Sequence, residues 1–239
     1  MRNFSNNNIY TALNEINTDA DEFGPFMHFI DIKKDESSVS RGNYNAYLFL
    51  YSNNKSGNQY IRFVENEYQV NYSQSKAVTF LNSPYDDAYP SFNPEDSGLY
   101  FCSNRDGEFD IFFAKLNLKD RSWSSIFSDT TKKTIYNIAI LSSDSADKCP
   151  FILGNTMVFA SNRLGGYGGF DLYYSKFVNG KWSRPKNFGP KINTAYDEYR
   201  PVVRREDGFD NDFMIFSSNR PGGKGGFDLY YVGMDKIAY

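Results

Sequence analysis

Four copies of one polar motif punctuate the chain, and repetition at this period lets each unit bury its apolar face only against a neighbouring unit. The copies read NTDADEFGP (17–25), NSPYDDAYP (82–90), SSDSADKCP (142–150) and NTAYDEYRP (193–201). In each, Pro lies eight residues after the opening Asn or Ser, and an acidic pair precedes Pro by four and three residues. Only the third copy departs, with Ala146 in place of the first acid. The Pro-to-Pro spacings of 65, 60 and 51 residues are blade-sized periods with loop insertions.

Each Pro leads into an apolar run and a second signature: LFLYSNN (48–54), LYFCSNR (99–105), MVFASNR (157–163) and MIFSSNR (214–220). A Gly-rich turn and a third run follow, as GEFDIFFAKL, GGFDLYYSKF and GGFDLYYVGM; the first copy is degenerate there and reads GNQYIRF from Gly57. Short continuous apolar runs between turn residues fit strands covered on both faces. A propeller blade sandwiched between two others meets that condition. The predicted fold is therefore all-β, a β-propeller of four blades of four antiparallel strands in one domain, 1–239. Blade limits fall at about 19–80, 81–140, 141–191 and 192–239, and part of a five-bladed propeller is the alternative. The last copy stops after its third strand, so the N-terminal segment 6–16 is expected to close that blade as its outer strand,. Truncation of residues 1–13 is accordingly expected to promote aggregation.

Composition agrees with this class. Phe and Tyr number 22 and 19 against 2 Trp, and aromatic rings favour the pleated surface of strands,. The net charge of −3 lacks the basic face that nucleic acid requires,. Residues 161–239 hold 12 Lys and Arg against 9 Asp and Glu, a mild asymmetry that solvated surfaces explain. Cys102 and Cys149 have no metal-ligand spacing, although a pair between them stays open,. No metal and no cofactor is expected. No run of 18 apolar residues is present, and MRNFSNNNIY lacks the apolar core of a signal peptide,.

The stretches SNRPGGKGGFDLYY (218–231), SNRLGGYGGFDLYY (161–174) and INTAYDEYRP (192–201) resemble the TolB-like (WD-like) β-propeller repeat. The resemblance runs from about Asn6 to Val232 and is most specific in the third and fourth copies. The PGGxGGFDLY version is similar to that of envelope proteins of Bacteroidota, where an OmpA-like peptidoglycan-binding domain often accompanies it. That domain is not in this sequence, so wall anchoring is not carried over. The resemblance implies a periplasmic scaffold or adaptor with a protein partner, an outer-membrane or periplasmic complex such as type 9 secretion machinery. No membrane span is expected, and nothing in the sequence points to self-association,. TolB-like propellers usually have five or six blades, and four are readable here.

A catalytic site is needed once, whereas the acids Asp21, Glu22, Asp86, Asp87, Asp147, Asp197 and Glu198 recur in every copy. They are expected to accept bonds from backbone N–H groups or from Arg105, Arg163 and Arg220 at a blade contact. Asp110, Asp171 and Asp228 open the third strands and read as structural too. The Gly pairs permit tight hairpins. No G-x-S-x-G elbow exists, and the single imidazole, His28, sits in the strand-like run FMHFID,. The chain is therefore expected not to be an enzyme.

Unrepeated features carry the candidates for recognition. The hairpins 164–169 and 221–226 are longer than their counterpart 106–108, and equivalent loops leave a propeller on one face,. Leu164, Tyr167, Pro221 and Lys224 could form one partner-binding patch there. The insertion 33–45 adds Lys33, Lys34, Arg41 and Tyr44, and the polar insertion 129–136 reads as a second surface loop. The competing readings are a carbohydrate-active hydrolase or lyase and a carbohydrate-, calcium- or small-ligand-binding propeller. The acids Asp207, Asp210 and Asp212 read as the turn between the first two strands of blade four.

Overall fold

A computed structural model describes residues 16–32, 44–66, 74–118, 123–131, 133–205 and 208–236. Four antiparallel sheets follow one another along the chain and form a four-bladed β-propeller. Blade one holds β1 (Glu22–Ile32), β2 (Tyr44–Asn53), β3 (Tyr60–Asn66) and β4 (Lys76–Ala77). Blade two holds β5 (Asp87–Asn93), β6 (Gly98–Ser103) and β7 (Asp110–Lys115), then α1 (Trp123–Phe127) and β8 (Ile135–Asn137). Blade three holds β9 (Asp147–Leu153), β10 (Thr156–Ser161) and β11 (Asp171–Val178), with β12 (Lys181–Trp182) and β13 (Lys186–Asn187) both pairing β11. Blade four holds β14 (Glu198–Arg204), β15 (Asn211–Ser218) and β16 (Asp228–Asp235) and is three-stranded among the described residues. The outer strand expected from 6–16 lies outside the described residues, apart from buried Ile16.

The continuous apolar runs are buried on both faces, as the pattern requires: every residue of β6 and β10 is buried. The core divides by junction. Leu50, Ile61 and Phe63 of blade one pack with Phe92, Phe101 and Phe112 of blade two, and Val158 and Leu172 of blade three pack with Met214 and Phe216 of blade four.

Four local readings change. Asn53, not Ser52, stands opposite Glu22, as Ser103 stands opposite Asp87. The first copy of the SNR signature is therefore Asn53-Asn54-Lys55, one residue later than the apparent match. Residues 123–127 form a short helix because Ile126 and Phe127 bury themselves at the first junction, where Phe127 meets Phe63 with ring centroids 5.1 Å apart. The 129–136 insertion is not a free loop: Lys133 pairs with Asp129 at 3.1 Å over the Phe80 ring, and Ile135 and Tyr136 enter β8. Likewise Asp212 is buried within β15, Asp210 lies just before it, and Asp207 is outside the described residues.

The first strand of every blade carries a β-bulge just before the motif Pro. The residues there are Gly24, Tyr89, Cys149 and Arg200, with φ of 60°, 55°, 55° and 52°. Left-handed backbone at the first bulge position re-aims the side chain that follows the strand's start. In all four blades that position lines one shared central cavity.

Candidate functional site

The recurring polar residues are used up in holding the blades. In blades two, three and four the second acid is fully buried and accepts from the SNR arginine: Arg105 to Asp87 at 2.5 Å, Arg163 to Asp147 at 2.5 Å and Arg220 to Glu198 at 2.9 Å. Each guanidinium also donates to a loop carbonyl, of Leu81, Leu141 or Ile192, and covers aromatic rings of its own blade. The arginine therefore clips a single blade and does not bridge two, as a blade contact would require. Blade one lacks the clip: Lys55 pairs with Asp19 at 2.8 Å in solvent, and Glu22 accepts from Thr18 and Asn53.

The first acid is what reaches across. Asp86 accepts from the Gln59 N–H and Asp197 from the Phe170 N–H, both at 2.8 Å. The opening Asn adds a double bond of amide to main chain, Asn82 with Ile61 and Asn193 with Leu172, at 2.8 and 2.9 Å. At the junction of blades two and three, Ala146 and Ser142 leave only the Asp147 N–H to Phe109 carbonyl bond of 2.6 Å from this set. Asp171 and Asp228 cap their own hairpins, accepting from Tyr167 and Gly168 and from Lys224 and Gly225. Asp110 faces a hairpin three residues shorter; it accepts from Asn137, and its other oxygen is buried without a hydrogen-bond partner. Burial pushes that carboxyl above its usual range, against the pull of the Asn137 bond.

The predicted loop residues Leu164, Tyr167, Pro221 and Lys224 are all exposed, Leu164 almost completely at 99%. The two hairpins differ in what lies beneath them. A Cβ on Gly168 would meet the Tyr196 carbonyl at 2.3 Å, whereas one on Gly225 would meet nothing within 4 Å. Lys33, Lys34 and Arg41 lie outside the described residues; Tyr44 opens β2 opposite Ile32. His28 packs edge-on against Phe92 and Trp123 at 5.2 and 6.1 Å, and burial lowers its pKa. Among the described residues no three His, Cys, Asp or Glu side chains converge as a metal site would need. No helix among them is long and apolar enough to cross a membrane.

Two features were missed by sequence reasoning. The first is the axis itself. The bulge residues and the prolines after them line a cavity of about 300 Å³, with Phe23 and Phe26 on the same wall. Arg200 also lines a neighbouring cavity of about 280 Å³, with Phe170, Asp197, Tyr199, Ser217 and Phe227. The signal was visible: the residue before the motif Pro is Gly, Tyr, Cys and Arg in the four copies, a repeated place with unrepeated chemistry. Burial pushes the Tyr89 phenol and the Cys149 thiol each up to about 12, with Arg200 pulling the other way in both. Both groups bind their protons more tightly folded than unfolded. Their contribution to stability is thus complete below about pH 9, where Cys149 would ionise unfolded, and is lost toward pH 12,. Urea melts from pH 8 to 11.5 should show this decline, and Cys149→Ala should flatten it; a decline unchanged by that variant would assign it elsewhere.

The second is a sheet face left bare among the described residues. Leu229 matches Ile111 and Leu172, which are fully buried beneath the following blade, yet it is 77% exposed. Tyr231 on the same face is 76% exposed, and Phe227, Ile215 and Val202 extend the patch. Among the described residues, nothing from blade one binds Leu229 or Phe227 in the way Asn193 and Asp197 bind Leu172 and Phe170.

No family model matches the sequence, and no curated protein matches it. Solved structures do. A protein described as TolB from Agrobacterium tumefaciens superposes with a TM-score of 0.50 at 15% identity, covering 79% of this chain and 58% of its own. This chain thus spans less than two thirds of that protein's length, and the likeness is one of β-propeller fold. The catalytic domain of a GH62 α-L-arabinofuranosidase from Coprinopsis cinerea gives 0.46 at 12% identity, covering 89% and 70%. TolB from Acinetobacter baumannii gives 0.33 at 14% identity, covering 77% and 48%.

Proposed function

We propose that this chain is a non-enzymatic protein-interaction propeller, a scaffold or adaptor of the bacterial cell envelope. In this reading it works in the periplasm as part of a complex with outer-membrane secretion machinery of the type 9 kind, the setting its repeat resembles. The bare face of blade four carries the reading. Soluble proteins seldom expose a contiguous apolar face, and those that do use it for association. Leu229, Tyr231 and Phe227 form such a face around main-chain groups whose counterparts at the first and third junctions are bound by an Asn and an acid four residues on. A β-structured partner offering an amide and a carboxylate at that spacing fits it.

The disposition of carboxylates supports the absence of catalysis. Glycoside hydrolysis uses two carboxyl groups facing one substrate site. Glu22 and Asp197 are the acids lining the two cavities, one in each, and both have oxygens engaged by the repeat's own N–H and amide groups.

Capture of the tagged protein from its native envelope tests the reading. Wild type should retain an envelope protein, and the surface variants Leu229→Asp and Tyr231→Asp should lose it with an unchanged melting temperature. Retention of that protein by both variants, or recovery of none by wild type, would count against it.

A further inference from the structure

Arg200 differs from every other repeat arginine. Arg105, Arg163 and Arg220 each hold a buried carboxylate, whereas Arg200 meets none among the described residues. Among the described residues its side chain makes one hydrogen bond, from Nη2 to the Tyr89 hydroxyl at 3.3 Å. A guanidinium has five donors in a planar fork, so most remain to be used. The phenol accepts in that bond, and its own proton is free to donate to the same guest.

The surroundings are aromatic. The Arg200 guanidinium carbon lies 6.0, 5.7 and 5.7 Å from the ring centres of Phe23, Tyr89 and Tyr199, and Phe170 and Phe227 wall the adjoining cavity. Cavities of about 280 and 300 Å³ meeting at one cation have the size and make-up of small-molecule sites, mostly apolar with a few placed polar groups,. The left-handed backbone is common to all four blades and says nothing of function by itself. What is particular is the side chain set there: only one of the four copies places a charge on the axis.

We propose that Arg200 and Tyr89 bind the carboxylate of a compact ring-bearing monoacid, with Phe23 and Tyr199 against its ring. A planar guanidinium matches a carboxylate with two parallel bonds. The anionic Asp197 and Glu22 at the cavity walls disfavour a dianion such as phosphate. This site shares Phe227 with the blade-four face, but its test reads uptake of a small acid and not of a protein, so the two readings fail separately.

Calorimetric titration of the full chain with benzoate and with glucuronate, against benzamide, glucose and inorganic phosphate, checks it. At least one of the two acids should bind saturably, and which one distinguishes an aryl acid from a sugar acid. The neutral counterparts and phosphate should not. Arg200→Gln should weaken the bound acid by about tenfold or more, Tyr89→Phe by less, and Arg200→Lys should retain part of the affinity. Ring resonances of Tyr89 and Tyr199 should shift with the acid in wild type, a readout that needs no variant. Absence of saturation by both acids, equal binding of a neutral counterpart, affinity unchanged in Arg200→Gln, or unmoved Tyr89 and Tyr199 signals would each overturn the proposal.

Discussion

Arg163→Ala is expected to lower the unfolding free energy by about 3–5 kcal/mol, because it leaves a carboxylate charged and buried without its cation. Asp147 has no solvent exposure, and its partner is only 16% exposed. Once the guanidinium is gone, Ser143 still donates to Asp147 at 2.8 Å, but a hydroxyl does not neutralise the charge. The Leu141 carbonyl loses its donor as well. The matching change in blade one, Lys55→Ala, should leave stability unchanged, since its pair with Asp19 stands in water,. Urea denaturation of the two variants beside wild type measures both. A loss below about 1 kcal/mol for Arg163→Ala would mean that the clip does not hold the blade.

That contrast also marks what the residues disclosed before any coordinates. The fourfold motif carried the blades and their number, because an acid pair and a Pro at constant spacing serve the same place in each sheet. The division of labour within the pair was hidden. Asp86 and Asp197 reach the preceding blade while Asp87 and Glu198 stay within their own, and adjacent carboxylates look alike until strand direction sends them apart. The first blade slipped by one residue because Asn53 and Asn54 offer two equally good matches to the SNR signature, and only pairing with Glu22 chooses between them. The helix at Trp123 has too few residues for a period, and it owes its existence to a tertiary slot for Phe127. Arg200 escaped notice for a different reason. Repeats advertise what is shared, whereas a binding residue at a shared position is visible only as a mismatch, and Gly, Tyr, Cys and Arg read at first as noise.

Gly168→Ala should destabilise the protein by about 3 kcal/mol, at the upper end of the range for forcing atoms into packed space. A methyl group there would sit 2.3 Å from the Tyr196 carbonyl, 2.5 Å from that of Thr194 and 2.7 Å from the Ala195 carbonyl carbon. Those atoms are backbone and have no rotamer to change. The hairpin of blade three would have to lift from the 194–197 loop of blade four. That movement would strain the Phe170 N–H bond to Asp197 and the Glu198 N–H bond to Phe170. Gly225 occupies the same place in blade four, where a methyl group meets open space. Gly225→Ala should therefore be neutral within about 0.5 kcal/mol, or slightly stabilising through a less flexible unfolded chain. The pair reports on the protein's surface as well as on its packing, because the two glycines differ only in whether another blade lies beyond them. Unequal losses place blade three under cover and leave blade four bare, as an open docking face requires. Equal losses, measured by urea melts of the two variants, would mean that something seals blade four in solution, and the role given to Leu229 and Tyr231 would have to be withdrawn.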